Sequence, residues 1–103
     1  MTETAGHRRA KGNAAGVNGK TEVPLPGGRR LDALTQGGRA TEVERSGTAE
    51  GLEAAARRLQ DAKATQHVLR VPQKDMNAAA EAMREIGVRG TVRNLAGTKR
   101  RSV

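Results

Sequence analysis

The chain contains no aromatic residue, and this absence restricts its fold more than any other feature of the sequence. Phe, Tyr and Trp are all missing from its 103 residues, and so is Cys. A hydrophobic core must therefore be built from Val, Leu, Ile, Met and Ala, and the chain has only eight Val, seven Leu and one Ile. Such a chain buries little apolar area against the entropy cost of ordering it. We expect one small domain of marginal stability.

The stretch from Arg29 to Ser46 (RRLDALTQGGRATEVERS) has the pattern of a β-hairpin. Two runs of strand length, 29–35 and 39–45, flank the loop Gln36-Gly37-Gly38. Glycines between two such runs are typical of a short hairpin loop. In the register that this loop predicts, residue 35 pairs with residue 39, and residue 32 lies opposite residue 42.

Three carboxylates would then share one face of the hairpin. Asp32 lies opposite Glu42, and Glu44 follows on the same face because side chains alternate along a strand. Like charges directly opposite each other destabilise a sheet, so a positive group is expected among them. In the alternative interpretation, Arg30 pairs with Glu44 and the other two carboxylates are solvated. The residues expected on the opposite, buried face are Leu31, Ala33, Thr41 and Val43.

The rest of the sequence predicts an α/β fold. Helices are expected over 49–64, capped by Ser46 or Thr48, and from an Asp75 cap to Gly87. Further short strands are expected over 21–25, 67–71 and 91–95. The predicted fold is a small mixed sheet of about five strands, an antiparallel meander plus a parallel crossover strand, with two helices. The predicted organisation is a basic flexible arm at 1–20, a single domain at 21–96 and a basic tail at 97–103.

An Asp on one strand and Glu-x-Lys on the next, followed by a helix and a further strand, is the pattern of the PD-(D/E)XK nuclease superfamily. The chain resembles it over residues 20–95, with Asp32 and Glu42-Val43-Glu44 at the motif positions. Glu44 replaces the usual Lys, as in some restriction endonucleases of the superfamily. The sequence GRRLDA…ATEVERSG also resembles the restriction-endonuclease-type domains of bacterial polymorphic toxins.

This resemblance implies a restriction-endonuclease-like domain that hydrolyses phosphodiester bonds, with DNA favoured as the substrate and RNA left open. Asp32 and Glu42 would hold Mg²⁺ or Mn²⁺, for which oxygen ligands are suited, and Glu44 would act with them in catalysis. A toxin domain would also have an acidic immunity protein as a partner. The nuclease domain itself would act in the cytoplasm or be secreted as part of a larger toxin.

The charge of the chain also favours a nucleic-acid partner. There are 19 Lys and Arg against 11 Asp and Glu, which gives a net charge of +8. Cationic side chains gain affinity for polyanions by releasing counterions from phosphates. The residues expected to contact phosphate are Arg8, Arg9, Lys20, Arg29, Arg30, Arg45, Lys74, Lys99, Arg100 and Arg101.

Two other functions remain open from the sequence. A non-catalytic nucleic-acid-binding module would need only the basic charge, and a protein-interaction domain would present that charge to an acidic partner. The sequence has no apolar run long enough for a membrane span and no apolar stretch typical of a signal peptide near its start. No membrane partner is therefore expected.

Overall fold

The computed structural model describes residues 4–103, so the first three residues of the predicted arm lie outside the described residues. The described helices are α1 (Ala5–Ala15), α2 (Ala49–Asp61) and α3 (Met76–Ile86). The strands are β1 (Lys20–Pro24), β2 (Arg30–Leu34), β3 (Arg39–Val43), β4 (Gln66–Val71), β5 (Thr91–Asn94) and β6 (Arg100–Ser102). Single turns of 3-10 helix occupy Pro26–Gly28 and Gln73–Asp75.

The six described strands form one mixed sheet in which their spatial order is their order along the chain. Strands β1, β2 and β3 are an antiparallel meander, β4 and β5 follow in parallel, and β6 is antiparallel to β5. The predicted α/β class, meander and parallel crossover are confirmed. So is the hairpin register, since Ala33 pairs with Thr41 and Leu34 with Ala40.

Helices α2 and α3 cover one face of the sheet and form the main core with it. The sequence places Leu52, Ala55, Ala56, Leu59 and Ala62 at helical spacing on one side of α2, and this predicted apolar stripe is buried against Leu69, Val71 and Val92 of the parallel strands. Thr48 caps α2 by accepting a hydrogen bond from the backbone N–H of Gly51. The buried residues of the two helices are mostly alanines with a few larger side chains: Leu52, Ala55, Ala56, Leu59, Ala79, Ala80, Ala82 and Met83.

Helix α1 was not predicted, because residues 1–20 were expected to be a flexible arm. It packs against β1, β2 and β3, and the side chain of Thr4 caps it by accepting from the backbone N–H of His7. Only Lys11 and Ala15 are buried in it. The helix was missed because its sequence has no apolar stripe. Polar contacts of Lys11 and His7 with the meander hold the helix in place instead.

The start of α3 differs from the prediction that the Asp75 side chain caps this helix. Asp75 occupies the N-cap position, but its side chain makes no capping hydrogen bond. Its backbone has φ −101° and ψ 3° because it already closes a 3-10 turn onto Pro72. A capping side chain normally requires an extended backbone at this position. Gly87 ends the helix in the left-handed conformation, as predicted.

The predicted basic tail contains strand β6, and buried Asn94 builds the turn that leads into it. The Asn94 side-chain oxygen accepts from the backbone N–H groups of Thr98, at 2.9 Å, and Lys99, at 3.1 Å. Its side-chain nitrogen donates to the hydroxyl of Thr98 at 2.9 Å. These bonds fix the β5–β6 turn and hold Arg100 opposite Arg93 in the sheet.

No helix in the described part of the chain has both the length and the apolar character needed to cross a membrane.

Candidate functional site

The predicted carboxylates Asp32 and Glu42 meet where the β2–β3 ladder ends. The backbone N–H of Asp32 donates to Glu42 Oε2 at 2.7 Å. The backbone N–H of Val43 donates to Asp32 Oδ2 at 2.8 Å. Each carboxylate therefore accepts a hydrogen bond from the backbone of the opposite strand. The sequence correctly predicted that these two residues lie together.

Glu42 is the more deeply placed carboxylate, with 1% of the residue exposed. Its Oε1 atom forms an ion pair with Arg58 Nε of helix α2. Burial raises the pKa of Glu42 to about 7, and the charge of Asp32 acts in the same direction. Arg58 and the Asp32 backbone N–H act against this rise. Burial alone would lower the pKa of Arg58, but the hydrogen bond and charge of Glu42, together with the charges of Asp32 and Glu44, outweigh it and raise that pKa.

The outer oxygen of Asp32 faces helix α1 instead. Asp32 Oδ1 lies 3.6 Å from His7 Nε2 and 4.0 Å from Lys11 Nζ. Lys11 is 3% exposed and also forms an ion pair with Glu22 of β1. Two helices thus supply positive groups to the two carboxylates, Arg58 from α2 to Glu42 and Lys11 from α1 to Asp32.

Glu44 does not join this pair. Its carboxylate accepts a hydrogen bond from the backbone N–H of Ser46, at 2.9 Å, in the turn before α2. No ion pair connects it to Arg30 within residues 4–103, so the predicted cross-strand alternative is absent there as well. Glu44 turns to the nearest free backbone N–H because the strand ends at Val43 and the chain bends away.

A divalent cation does not fit the carboxylates in this arrangement. Both oxygens of Glu42 are already bonded, one to Arg58 and one to the Asp32 N–H. Asp32 has one oxygen bonded to a backbone N–H, and the other faces the side chains of His7 and Lys11 of α1. Among residues 4–103, no group of three or more His, Asp or Glu side chains is arranged to hold a metal ion. The positive group that the sequence argument required is supplied by the protein itself.

Asp32 and Glu44 border an open cleft of about 340 Å³ between α1 and α2, whereas the buried Glu42 does not line it. Arg29 at its rim is held in an ion pair with Asp61, whereas Arg30 and Arg45 are exposed. The predicted phosphate contacts Arg29, Arg30 and Arg45 therefore do lie together. The residues that line the cleft are His7, Arg29, Arg30, Asp32, Val43, Glu44, Arg45 and Arg58.

A second charged region, which the sequence analysis missed, lies on the face of β4–β6 that points away from α2 and α3. Leu69, Val71 and Val92 point into the core, so the residues that alternate with them point to this opposite face. We call it the basic sheet face. It carries Arg39, Gln66, Val68, Arg70, Thr91, Arg93, Arg100 and Ser102, which the strand register aligns.

A cavity of about 390 Å³ opens on the basic sheet face. Its described lining residues include four arginines and His67 but no Asp or Glu. Only Arg100 of this group was predicted as a phosphate contact. The available signal was a single Arg among the apolar residues of each short strand, HVLRV and TVRNL. Only the order of the strands in the sheet shows that these two arginines, Arg70 and Arg93, lie next to each other.

The other predicted phosphate contacts are spread over the surface. Arg8 and Arg9 are exposed on α1, Lys20 begins β1, Lys74 lies in a 3-10 turn, and Lys99 precedes β6. Arg101 points to the helix-covered side, where its Nη1 donates to Asn77 Oδ1 of α3 at 2.6 Å. These six residues do not converge on one place.

Comparison with protein-family models, curated proteins and solved structures gives no significant match to this chain.

Proposed function

We propose that this chain is a nucleic-acid-binding domain whose basic sheet face contacts the phosphate backbone. The observation that carries the proposal is the cavity on that face, lined by Arg39, Arg89, Arg93 and Arg100 without a carboxylate among its described lining residues. The guanidinium group presents a planar fork of donors that matches phosphate oxygens. Because no lining carboxylate neutralises these groups, their charge remains available to a ligand.

The distribution of acidic residues supports this proposal. Glu22, Glu42 and Asp61 are each paired with a cationic side chain of the protein. Among the described glutamates without an ion pair, Glu44 lies in the turn after β3. The other four belong to the helices on the other side of the sheet: Glu50 and Glu53 on α2, and Glu81 and Glu85 on α3. The positive potential of the basic sheet face is therefore cancelled little by its surroundings.

The contact is expected to be with the backbone rather than with the bases. Stacking of unpaired bases on a protein surface uses aromatic side chains, and the chain has none. Binding through arginine and phosphate releases counterions and carries no direct sequence information. A sequence-independent and strongly salt-dependent interaction follows.

The test is the affinity for a fluorescent, hydroxyl-ended duplex of DNA or RNA, measured by anisotropy at several salt concentrations. We expect log K to fall linearly with log salt. The double substitution Arg39→Ala/Arg89→Ala should weaken binding by about tenfold. The slope of log K against log salt should become less steep by an amount equivalent to about two phosphate contacts.

The matched control is Arg57→Ala/Arg84→Ala, which removes the same charge from exposed positions on α2 and α3. It should change the affinity by less than about twofold. An equal loss in both double variants would show that binding depends on net charge rather than on the basic sheet face. No binding by the folded wild type at low salt would end the proposal.

A second candidate function, a metal-dependent nuclease, is favoured by one specific observation. Asp32 and Glu42 come together at the end of the hairpin, and β3, α2 and β4 follow in the order of the superfamily that the sequence resembles. For Mg²⁺ or Mn²⁺ to bind there, Arg58 and Lys11 would have to leave the carboxylates. This requirement makes the nuclease the second candidate rather than the first.

Plasmid DNA and total RNA incubated with Mg²⁺, Mn²⁺ or EDTA decide between the two functions. A nuclease should cut only with metal, and Asp32→Asn and Glu42→Gln should each abolish cutting while binding persists. Glu53→Gln, which changes a carboxylate on α2 outside the cluster, is the matched control and should remain active. If the folded wild type leaves both polymers intact in either metal, the nuclease candidate fails and the binding proposal is unaffected.

A further inference from the structure

We infer that Arg70, Arg93 and Arg100 form a site for a single dianionic phosphate group, presented as the terminal phosphate of a nucleic acid. The inference rests on the proposed nucleic-acid binding and makes it more specific. It assigns a preference for phosphorylated ends to one part of the basic sheet face. The remaining arginines of that face would contact the adjoining backbone.

The first argument is the register of the three arginines. Arg70 pairs with Arg93 across the parallel strands β4 and β5, and Arg93 pairs with Arg100 across the antiparallel strands β5 and β6. Adjacent strands lie about 4.8 Å apart, so the three side chains start within roughly 10 Å of one another on one face. Like charges placed directly opposite in a sheet repel each other. A bound anion would attract all three side chains and so offset this repulsion.

The second argument is that two of the three guanidinium groups are already oriented. Arg70 Nη2 donates to the backbone oxygen of Leu95 at 2.8 Å, and Arg93 Nη2 donates to that of Gly97 at 3.2 Å. Both acceptors belong to the β5–β6 turn that Asn94 stabilises. A site whose donors are held by other bonds loses less entropy on binding than one made of mobile surface side chains.

The third argument is that the arginines have unused donors and no counter-charge. The Nε atoms of Arg70 and Arg93 are buried and lack a hydrogen-bond partner in the described structure. None of the ion pairs found within residues 4–103 includes Arg70, Arg93 or Arg100. Burial and the charge of Arg93 lower the pKa of Arg70. Buried donors without acceptors are costly, and an anion with several oxygens would relieve that cost.

A terminal phosphate matches this cluster better than an internal phosphodiester does. It carries a charge of about −1.5 to −2 at neutral pH and three acceptor oxygens, so several guanidinium groups can bind it at once. Internal phosphates each carry one charge and are distributed along the backbone. Arg70 and Arg93 are half-buried and would form the base of the site, whereas Arg100 is exposed at its opening.

The experiment compares one duplex with a 5′-phosphate at its ends and the same duplex with 5′-hydroxyl ends. The wild type should bind the phosphorylated duplex about tenfold more tightly, because the hydroxyl-ended duplex cannot form the charge-assisted hydrogen bonds to the terminal phosphate. Arg100→Ala should remove most of this preference. The matched control is Arg101→Ala, which removes the same charge one residue further along β6 and on the opposite face. It should retain the preference.

Each outcome has a distinct meaning. Equal wild-type affinity for the two duplexes, or an equal loss of preference in Arg100→Ala and Arg101→Ala, overturns the terminal-phosphate site. Tighter binding of inorganic phosphate than of the phosphorylated duplex, measured by calorimetry, makes the free ion the ligand and also overturns it. Failure of the proposed function would look different, because the hydroxyl-ended duplex would then not bind at all.

Discussion

Replacing Arg58 with Met will destabilise the folded protein by about 3 kcal/mol at pH 8, because the buried Glu42 carboxylate loses its cation. Met retains the apolar length of the side chain, so the change isolates the charge. Urea unfolding should be followed by far-UV circular dichroism, since the chain has no aromatic residue to report by fluorescence. Native domains are stable by only about 5–15 kcal/mol, so this loss is a large share of the total.

Two further variants separate the ion pair from general effects on α2. Arg57→Met changes the preceding, exposed arginine of the same helix and should cost less than about 0.5 kcal/mol. Glu42→Gln retains an acceptor for the Asp32 N–H and leaves Arg58 able to reach water, so it should cost about 1 kcal/mol. The double variant should be less destabilised than the sum of the two single changes. Equal effects of Arg57→Met and Arg58→Met would contradict the prediction.

Stability will fall as the pH rises from about 5 to about 8, and Glu42 will be the main cause. The pKa of Glu42 is about 7 in the folded protein against an ordinary value of 4.5. Between these two pH values the folded state binds more protons than the unfolded state. Raising the pH therefore lowers the free energy of unfolding. The contribution is complete below pH 4.5 and lost above pH 7, and amounts to at most about 3 kcal/mol.

The measurement is a series of urea midpoints across this pH range for the wild type and Glu42→Gln. The difference between the two curves isolates the carboxyl group, because glutamine does not titrate. It should change by up to about 3 kcal/mol, to the disadvantage of the wild type, as the pH rises from 4.5 to about 7. In Arg58→Met, the loss of the opposing positive charge should move the transition to higher pH. A wild-type curve parallel to that of Glu42→Gln would rule out the proposed titration.

The sequence was sufficient to predict the meander and the helices with clear periodicity, because these follow from short-range rules. The Gln36-Gly37-Gly38 loop and strict alternation determine which residues pair across β2 and β3. The apolar stripe of α2 determines which side of that helix is buried. For the same reason, the proximity of Asp32 and Glu42 was predictable from the local sequence between them.

The rest of the site depends on contacts between distant segments that carry no local signal. Arg58 reads as one of several charges on the solvated side of α2, and nothing in its neighbourhood shows that it reaches a buried carboxylate. Helix α1 has no apolar stripe that would predict it from the sequence, and its packing becomes visible only in the structure, where Lys11 is buried. Alignment of Arg70, Arg93 and Arg100 requires the order of three strands, two of which are separated by a whole helix.

The order of strands in the sheet also has a consequence for how the chain reaches its native state. Each strand pairs only with the strands immediately before and after it in the chain. The antiparallel pairs join neighbouring segments, whereas each parallel pair has to wait for the helix between its strands, since Thr41 pairs with Val68 and Leu69 with Val92. Such parallel pairing between distant segments is intrinsically slow. The sheet can grow from β1 towards β6 while the chain emerges from the ribosome, each new strand adding to an edge already formed. Its strand β6, which carries Arg100, would then be the last to be added.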